Sequence, residues 1–317
     1  MNCLCCGKPF KTDNGMNWHK SCINKFFGTS VLPFIDLDDE TLAELVKEST
    51  SHGFTVPGVQ KKLSLHLMSG RNQSPRLTLV NYPTGYILKP QVETFKALPE
   101  SEHLMLHMAE RVQIKTVPNA LIGADSGYAF ITKRVDRIIE RTSVKKLAME
   151  DFCQLDGRLT ADKYKGSYER CAKIIKQYSS APALDLTEFF LRIVFSFAVG
   201  NSDMHLKNFS LIETSSESGE YVLSPAYDLL PVNLVMPEDS EQLALTLNGK
   251  KTNIHRKDFL VFAKTIGITD KAAKDMIEKT FSALPRFIQD AEASLLPDNM
   301  KDELIGLMEQ RCETLKA

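Results

Sequence analysis

Three polar side chains in the second half of the chain have the types and spacing that phosphoryl transfer requires. Asp203 and Asn208 lie five positions apart in a polar stretch, and Asp228 follows after a segment with the pattern of one β-hairpin. Phosphoryl transfer uses an Asp that orients and deprotonates the acceptor hydroxyl, an Asn that holds magnesium, and a second Asp that joins metal and phosphates. The three residues therefore predict ATP-dependent phosphoryl transfer, with Mg²⁺ held by Asn208 and Asp228.

Asp and Asn are also ordinary loop residues, because both cap helices and build turns. The flanking segments favour the catalytic interpretation. A mostly apolar helix is predicted from Leu184 to Val199, before the polar stretch, and a strand-like segment from Phe209 to Ile212 follows it. Catalytic groups tend to lie at the ends of rigid elements. We predict that Asp203 is the catalytic base.

A phosphate-binding region is predicted in the first half of the chain. Gly58 lies in a turn that leads to Lys62 and an alternating strand, where backbone amides and a lysine can face an anion. Lys89 ends a short apolar run and resembles the strand lysine with which kinases hold the α- and β-phosphates. Its carboxylate partner would be Glu100 or Glu102, and the sequence does not choose between them.

The first 27 residues hold four of the seven cysteines. Cys3-x-x-Cys6 is followed by His19-x-x-Cys22, and two such pairs can surround one tetrahedral zinc ion. The alternative is a reduced tail with incidental cysteines. The segment lacks the βαβ pattern of a redox motif and the long basic helix of a nucleic-acid-binding finger. The spacing therefore favours a structural zinc knuckle.

The overall composition excludes several classes of protein. The formal net charge is −1, with 39 basic and 40 acidic residues, so no electrostatic argument favours binding to nucleic acid or to a membrane surface. The longest apolar run, 189–199, is about half of a bilayer span and contains Arg192. No signal peptide is visible. Seven cysteines, an odd number, indicate a reducing cytoplasm rather than a disulfide framework.

The hydrophobic patterns predict an α+β, two-lobed, protein-kinase-like fold. Residues 1–27 form the zinc-binding knuckle, residues 28–140 a small strand-rich lobe with the Gly-rich loop and the ATP lysine, and residues 141–317 a helical lobe with the catalytic loop and the metal-binding Asp. The first lobe is expected to contain helices at 39–51 and 100–112 and strands at 63–67, 77–82, 85–89 and 128–133. In the second lobe, a hairpin at 209–223 and an alternating segment at 243–247 interrupt the helices.

Several ordered motifs together resemble the HipA-type toxin kinases of bacterial toxin–antitoxin systems, over roughly residues 50 to 310. The motifs are Thr-Val-Pro-Gly-Val-Gln-Lys-Lys-Leu from Thr55, Ile-Leu-Lys-Pro from Ile87, Phe-Ile-Thr-Lys-Arg-Val-Asp from Phe130, Glu-Asp-Phe-Cys-Gln from Glu150, Gly200 to Ser210, and Ala-Tyr-Asp-Leu from Ala226. The resemblance implies a serine/threonine protein kinase that stalls translation, since known targets in the family are aminoacyl-tRNA synthetases.

The resemblance also implies roles for individual residues. Asp203 would be the catalytic Asp, Asn208 and Asp228 the magnesium ligands, and Lys89 the ATP lysine. The Gly-rich loop would contain Gly58, Val59, Gln60 and Lys62. Thr55 occupies the place of an autophosphorylated serine, where a phosphate would add nearly two negative charges beside the loop. The alternative is that Thr55 is simply a β-branched residue in an extended segment.

The sequence departs from two familiar patterns. Ser202 stands where ordinary protein kinases have Arg before the catalytic Asp, and Leu229 and Leu230 replace the Phe-Gly that follows the metal-binding Asp. The chain also resembles a short, HipT-like form of the family, in which a separate small protein supplies the N-terminal subdomain. A DNA-binding antitoxin would complete that assembly and contact the operator.

Two other functions remain open at the level of sequence. The same three side chains could serve a small-molecule kinase, because any hydroxyl can be the acceptor. The chain could also be a catalytically weak binding module of an antitoxin complex. The presence of Asp203, Asn208 and Asp228 together argues against this last alternative.

Overall fold

The computed structural model of the protein describes residues 2–10, 17–34, 62–70, 73–78, 85–125, 127–139 and 144–317. The chain divides into two compact units, Met1–His103 with Val117–Lys145, and Leu104–Thr116 with Lys146–Ala317. The domain boundaries proposed from the sequence stay a prediction, since compactness alone does not test independent folding. The helix predicted at 39–51 lies outside the described residues, and so do Thr55, Gly58, Val59 and Gln60 of the Gly-rich loop.

The first unit is built on a five-stranded antiparallel sheet with the strand order β2-β1-β3-β5-β4. Its strands are β1 (Leu63–Gly70), β2 (Gln73–Thr78), β3 (Tyr86–Lys89), β4 (Asn119–Ala124) and β5 (Gly127–Lys133). Leu63 and Leu65 of β1 are buried, as their alternation predicts. The central strand β3 pairs Leu88 with Leu63 on one side and with Ile131 on the other, so its last residue, Lys89, lies in the middle of the sheet.

Among the described residues of this unit, two helices accompany the sheet. Helix α1 (Lys20–Phe27) follows the first cysteine turn, and helix α2 (Leu98–Arg111) connects β3 to β4. Helix α2 and strands β3 and β5 confirm the elements predicted there from hydrophobic periodicity. Strand β4 was not predicted. A short two-stranded ribbon follows β5 and consists of β6 (Arg137–Ile139) and β7 (Val144–Lys146).

The second unit is mainly helical, as predicted. Its longer helices are α4 (Tyr168–Tyr178), α5 (Pro182–Ala198), α7 (Arg256–Ile266), α8 (Asp270–Ser282), α9 (Leu284–Glu292) and α10 (Asp298–Lys316), and its shorter ones are α3 (Phe152–Leu155) and α6 (Val232–Val235). Proline at the start of α5 fits a helix N-terminus, where the missing N–H has no helical partner. Every residue of α5 from Phe189 to Ala198 is buried, so this helix is the centre of the unit.

A three-stranded antiparallel sheet carries the polar loop of the second unit. Strands β8 (Met149–Asp151), β9 (Ser210–Glu213) and β10 (Tyr221–Leu223) have the order β10-β9-β8. Strands β9 and β10 confirm the predicted hairpin. The alternating segment 243–247 is different, because it makes only isolated bridges. Ala244 is as fully buried as Leu243 and Leu245, so residues 243–245 are buried on both sides and do not form a strand with one solvent face.

No helix among the described residues is both long and apolar enough to cross a membrane.

Candidate functional site

The polar loop predicted to be catalytic begins where the buried helix α5 ends. Gly200 turns the chain with a φ of 70°, in the left-handed region that a side chain disfavours. A Cβ atom at this position would also clash with the side chain of Leu307 on α10. The loop entry therefore favours glycine for its backbone conformation, and the Leu307 side chain would have to move to admit any other residue.

Contacts with buried aromatic side chains fix the loop to the core of its own unit. The Tyr168 hydroxyl donates a hydrogen bond of 3.2 Å to the carbonyl oxygen of Met204. Phe209, directly after the loop, packs with ring centroids 4.9 Å from Phe189 and 5.7 Å from Phe152. These contacts hold both the middle and the end of the loop, so the side chains between them are positioned before any ligand binds.

Asp203 and Asn208 lie close together, as their spacing predicts. Asn208 Nδ2 donates to the carbonyl oxygen of Asp203 at 2.7 Å, and the Asp203 N–H donates to Asn201 Oδ1 at 3.1 Å. The Asp203 side chain is 38% exposed, so its carboxylate can still be reached from solvent. The Tyr164 hydroxyl donates to Asp203 Oδ1 at 2.5 Å. Sequence reasoning missed Tyr164, because a tyrosine in a loop 39 residues upstream carries no local signal.

His205 lies beside the same carboxylate. Its Nε2 lies 3.9 Å from Asp203 Oδ1, and the Tyr164 ring contacts it edge-on at 4.9 Å. Burial first, and then the positive charge of Lys163, lower the pKa of His205 from 6.5 to about 4. The imidazole is therefore neutral near pH 7.

Asp228 lies on a segment that is bonded to the same loop. The Tyr227 hydroxyl is 2.5 Å from Ser210 Oγ and donates to the carbonyl oxygen of Lys207 at 3.0 Å. Asp228 itself is half-buried and has a φ of 53°, a left-handed conformation that is uncommon outside glycine. Such backbone strain often accompanies functional positions, because the surrounding structure must impose it.

A buried arginine supports the strand that leads to Asp228. Arg192 of α5 is 2% exposed, and its Nη2 donates to the carbonyl oxygen of Ser224 at 2.7 Å and to Glu188 Oε1 at 3.0 Å. The arginine therefore joins the central helix to the segment after β10. It was noticed in the sequence only as a residue that excludes a membrane span.

The donor atoms of this loop suit a hard cation. With Asn208 Nδ2 bonded to the main chain, the amide oxygen is the atom that would contact a metal. Carboxylate and amide oxygens are the ligands that Mg²⁺ accepts in phosphoryl-transfer sites. The residues of the loop therefore fit the magnesium-bound nucleotide that the sequence predicts.

Ser202 stands where ordinary protein kinases have Arg, and it is hydrogen-bonded to a carboxylate. Its hydroxyl donates to Asp239 Oδ2 at 2.6 Å. Asn233 Nδ2 donates to the carbonyl oxygens of Asp239 and Glu241, at 3.1 and 3.0 Å. The Ser202 bond attaches the loop to the segment after α6, and the Asn233 bonds hold that segment against α6.

In the first unit, the structure resolves the partner of Lys89. Lys89 Nζ lies 2.6 and 2.7 Å from the two carboxylate oxygens of Glu102, and it also faces the Phe130 ring at 5.2 Å. Lys89 is 4% exposed and Glu102 is 1% exposed. Glu100 contributes instead a buried Oε2 without a hydrogen-bond partner, and burial raises the pKa of its carboxyl. Lys62 directly precedes β1 and is half-buried.

The four predicted zinc ligands form one cluster. The ligand atoms of Cys3, Cys6, His19 and Cys22 all lie within 4.8 Å of one another. All seven cysteines of the chain are free thiols. Burial, and next the neighbouring Cys3, raise the pKa of Cys22 to about 12. In the absence of a cation the Cys22 thiol is therefore protonated, and a bound dication would supply the charge that stabilises its thiolate.

The sequence as a whole matches a known family. Residues 54–288 match the family model described as the HipA-like C-terminal domain, and this range is most of the chain. The chain belongs to the HipA-like C-terminal domain family. The resemblance inferred from the ordered motifs is thus confirmed for this HipA-like chain.

Its curated relatives carry kinase names. The protein named "Putative kinase" of Haemophilus influenzae is 28% identical over 315 residues, which cover 90% of this chain and 87% of that protein. Two proteins of Sinorhizobium fredii, "Putative kinase Y4mE" and "Putative kinase Y4dM", are 26% and 29% identical over 74% and 77% of this chain. The chain spans only 57% and 61% of those two relatives.

Two solved structures share the fold. The HipA toxin of Shewanella oneidensis, solved with HipB and operator DNA, has a TM-score of 0.67 at 18% identity and covers 96% of this chain and 80% of its own. The proinflammatory kinase CtkA of Helicobacter pylori has a TM-score of 0.56 at 17% identity and covers 80% of this chain and 93% of its own. These likenesses confirm the predicted α+β, kinase-like fold.

Proposed function

We propose that this HipA-like chain is an ATP-dependent serine/threonine protein kinase that acts as the toxin of a toxin–antitoxin system. The acceptor would be a component of translation, such as an aminoacyl-tRNA synthetase. The reaction moves the γ-phosphoryl group of ATP to an acceptor hydroxyl, whose proton passes to Asp203 as ADP is released. Bound Mg²⁺ would neutralise the phosphate charge.

The buried pair of Lys89 and Glu102 is the observation that carries this proposal. A charged lysine is expensive to bury, and a buried ion pair contributes little net stability even with good geometry. Lys89 is nevertheless 4% exposed at the end of the central strand, with both carboxylate oxygens of Glu102 on its amine. A strand lysine held by a helix glutamate is the arrangement that protein kinases require for activity.

The residues of the second unit supply the remaining roles. Asp203 would orient and deprotonate the acceptor, and the hydrogen bond from Tyr164 to its Oδ1 would hold the carboxylate in place. Asn208 and Asp228 would hold the metal, and Lys89 would hold the α- and β-phosphates. Gly58, Val59, Gln60 and Lys62 would cover the phosphates.

Regulation by partners is part of the proposal. The Shewanella HipA was solved with HipB and its operator DNA. With a net charge of −1, this chain has no electrostatic basis for contacting DNA, so a DNA-binding antitoxin would do so. A small protein docked on the first unit is proposed as a further partner. The free thiols favour a reducing compartment such as the cytoplasm. Co-expression of the neighbouring genes, followed by size-exclusion chromatography, tests both partners.

Thr55 is proposed as an autophosphorylation site. A phosphate there would add nearly two negative charges close to Gly58 in the chain, and would repel the phosphates of ATP. Peptide mapping of active enzyme should find phosphothreonine at 55, and the Asp203→Asn variant should have none. Unmodified Thr55 in fully active enzyme contradicts this regulation.

Labelled ATP tests the central proposal. The protein would be incubated with γ-labelled ATP, Mg²⁺ and a cell lysate, with Asp203→Asn as the inactive variant. Asp275→Asn, an exposed carboxylate of α8, is the matched control. Label on protein serine or threonine that disappears only in Asp203→Asn supports the proposal. Label confined to a metabolite would indicate a small-molecule kinase. No transfer at all would indicate a binding module.

A further inference from the structure

We propose that the N-terminal cysteine cluster binds one structural zinc ion, and that this zinc fastens the knuckle onto strands β3 and β4 of the first unit. The knuckle is defined here as residues 2–10 and 17–27. Two independent sets of contacts carry the proposal: the geometry of the four ligand atoms, and the bonds that the knuckle makes to the sheet.

The ligand geometry fits tetrahedral zinc. Zn–S distances of about 2.3 Å and Zn–N distances of about 2.0 Å require ligand atoms roughly 3.5–3.8 Å apart. His19 Nδ1 lies 3.4 Å from Cys6 Sγ and 4.0 Å from Cys22 Sγ, on either side of that range. A disulfide would need sulfur atoms about 2 Å apart. Three thiols and one imidazole form a closed set that leaves no position for water, as in structural sites.

The backbone conformation around the ligands brings the four side chains together. Gly7 adopts a φ of 65° directly after Cys6, and its N–H donates to the carbonyl oxygen of Cys3 at 2.9 Å, which closes the first turn. The N–H of His19 points at Cys3 Sγ at 3.3 Å. His19 precedes α1, so Cys22 lies in the first turn of that helix and faces the same point. Backbone donors to ligand atoms orient a metal site.

The knuckle also covers the open edge of the sheet. Strand β4 is an edge strand, and its Leu121 makes two hydrogen bonds with the knuckle. The Leu121 N–H donates to the carbonyl oxygen of Leu4 at 2.8 Å, and Trp18 Nε1 donates to the carbonyl oxygen of Leu121 at 3.1 Å. Unpaired backbone groups on an edge strand can pair with another chain, so the knuckle protects this edge from such association.

An aromatic cluster extends the attachment to β3. Trp18, Phe26 and Phe27 are buried, and both phenylalanine rings contact Tyr86, at 5.9 and 5.4 Å. The Tyr86 hydroxyl donates to the carbonyl oxygen of Phe26 at 3.3 Å. Tyr86 begins the strand that ends at Lys89. Zinc therefore supports the strand that presents the buried lysine, although Lys89 is not itself in contact with the cluster.

Zinc content is the first test. Protein purified without chelator should contain about one equivalent of zinc by elemental analysis. The zinc content of Cys22→Ser should be at least tenfold lower than that of the wild type. Cys5→Ser is the matched control, because Cys5 lies between Cys3 and Cys6 in the first cysteine turn, beside Cys22 but outside the ligand set, and this variant should keep its zinc. Cobalt exchanged into the wild-type protein should give the absorption of a tetrahedral cobalt thiolate.

Trp18 reports the attachment directly, because it is the one tryptophan of the chain. Removal of zinc with a chelator should shift Trp18 emission to longer wavelength as the ring enters water, and added zinc should reverse the shift. This measurement uses the intact wild-type chain, so it does not depend on whether a cysteine variant folds. It also needs no ATP, so its result is independent of the proposed kinase activity.

Three results would overturn the proposal. Metal-free protein with buried Trp18 emission would show that the cluster is a set of reduced thiols. Equal loss of zinc in Cys5→Ser and Cys22→Ser would show that the ligand set is wrong. Full zinc content with Trp18 emission unmoved by chelation would show that the metal does not hold the knuckle on the sheet.

Discussion

The hydroxyl of Tyr164 donates a hydrogen bond of 2.5 Å to Oδ1 of Asp203. Burial first, and then this bond to Asp203, raise the pKa of Tyr164 well above its ordinary value of 10, so the phenol is a donor at neutral pH. The Lys163 amine faces the same ring at 4.9 Å. Tyr164 is thus a positioning residue for the proposed base.

Tyr164→Phe should lower kcat/KM by about tenfold, since a hydrogen bond to a charged group is worth about 1.5–3 kcal/mol and Asp203 is partly exposed. The bond favours the ionised carboxylate, so its loss should raise the pKa of Asp203. The acidic limb of the pH–rate profile should therefore move to higher pH. Tyr178→Phe, at the exposed end of α4, is the control and should leave the profile unchanged. An unshifted acidic limb in Tyr164→Phe would refute the positioning role.

The local elements around the site could be predicted from the sequence because they follow short-range patterns. The apolar run of α5 reflects a helix that is buried on all sides from Phe189 to Ala198. The alternation in β1 reflects a strand with one buried face. The spacing of Asp203 and Asn208 was informative for the same reason, because both residues lie in one compact loop. The Cys and His pairs were recognisable because each pair lies within one turn.

The rest depends on contacts between distant parts of the chain. Glu100 and Glu102 lie two positions apart on one helix, and only the packing of α2 against β3 selects Glu102. The contact of Tyr164 with Asp203 spans 39 residues and follows no motif. Leu243 to Leu247 alternates like a strand, yet Ala244 is as fully buried as the leucines on either side of it.

Asp203→Asn should abolish phosphoryl transfer while the fold is kept, because the change is nearly isosteric but removes the base. Asp228→Asn should in addition weaken Mg²⁺-dependent nucleotide binding, since it removes a charged ligand of the metal. Transfer of labelled phosphate and calorimetric titration with Mg·ATP measure the two effects. Wild-type transfer in either variant would remove that residue from the proposed machinery.

Glu102→Gln and Glu100→Gln should have opposite effects on stability. Glu102→Gln removes the carboxylate charge that pairs with the buried Lys89 amine and should lower the free energy of unfolding by about 3–5 kcal/mol. Glu100→Gln removes a carboxyl whose pKa burial raises, so at pH 7 it should increase the free energy of unfolding.

The pH dependence has a definite sign for Glu100. With a raised folded-state pKa, the native state binds more protons than the unfolded state above pH 4.5. The contribution of Glu100 is therefore fully present below pH 4.5 and is lost as pH rises through the folded-state pKa. Urea unfolding of the wild type and Glu100→Gln should give similar stabilities at pH 4 and diverge towards pH 7. Destabilisation by Glu100→Gln at pH 7 would contradict this assignment.

Gly200→Ala should destabilise the second unit through two separable effects. The left-handed φ of 70° costs a side chain about 1–2 kcal/mol, and the new Cβ would in addition clash with Leu307 of α10. Gly219→Ala is a matched control, because Gly219 has a similar φ of 66° and nothing within 4 Å of its Cβ position. Urea unfolding should therefore show the larger loss for Gly200→Ala, and the difference between the two variants measures the clash.

Because the strained backbone leads directly to Asp203, Gly200→Ala should also slow phosphoryl transfer, whereas Gly219→Ala in the hairpin turn should not. Equal losses in the two variants would mean that α10 yields to the new side chain and does not constrain the loop.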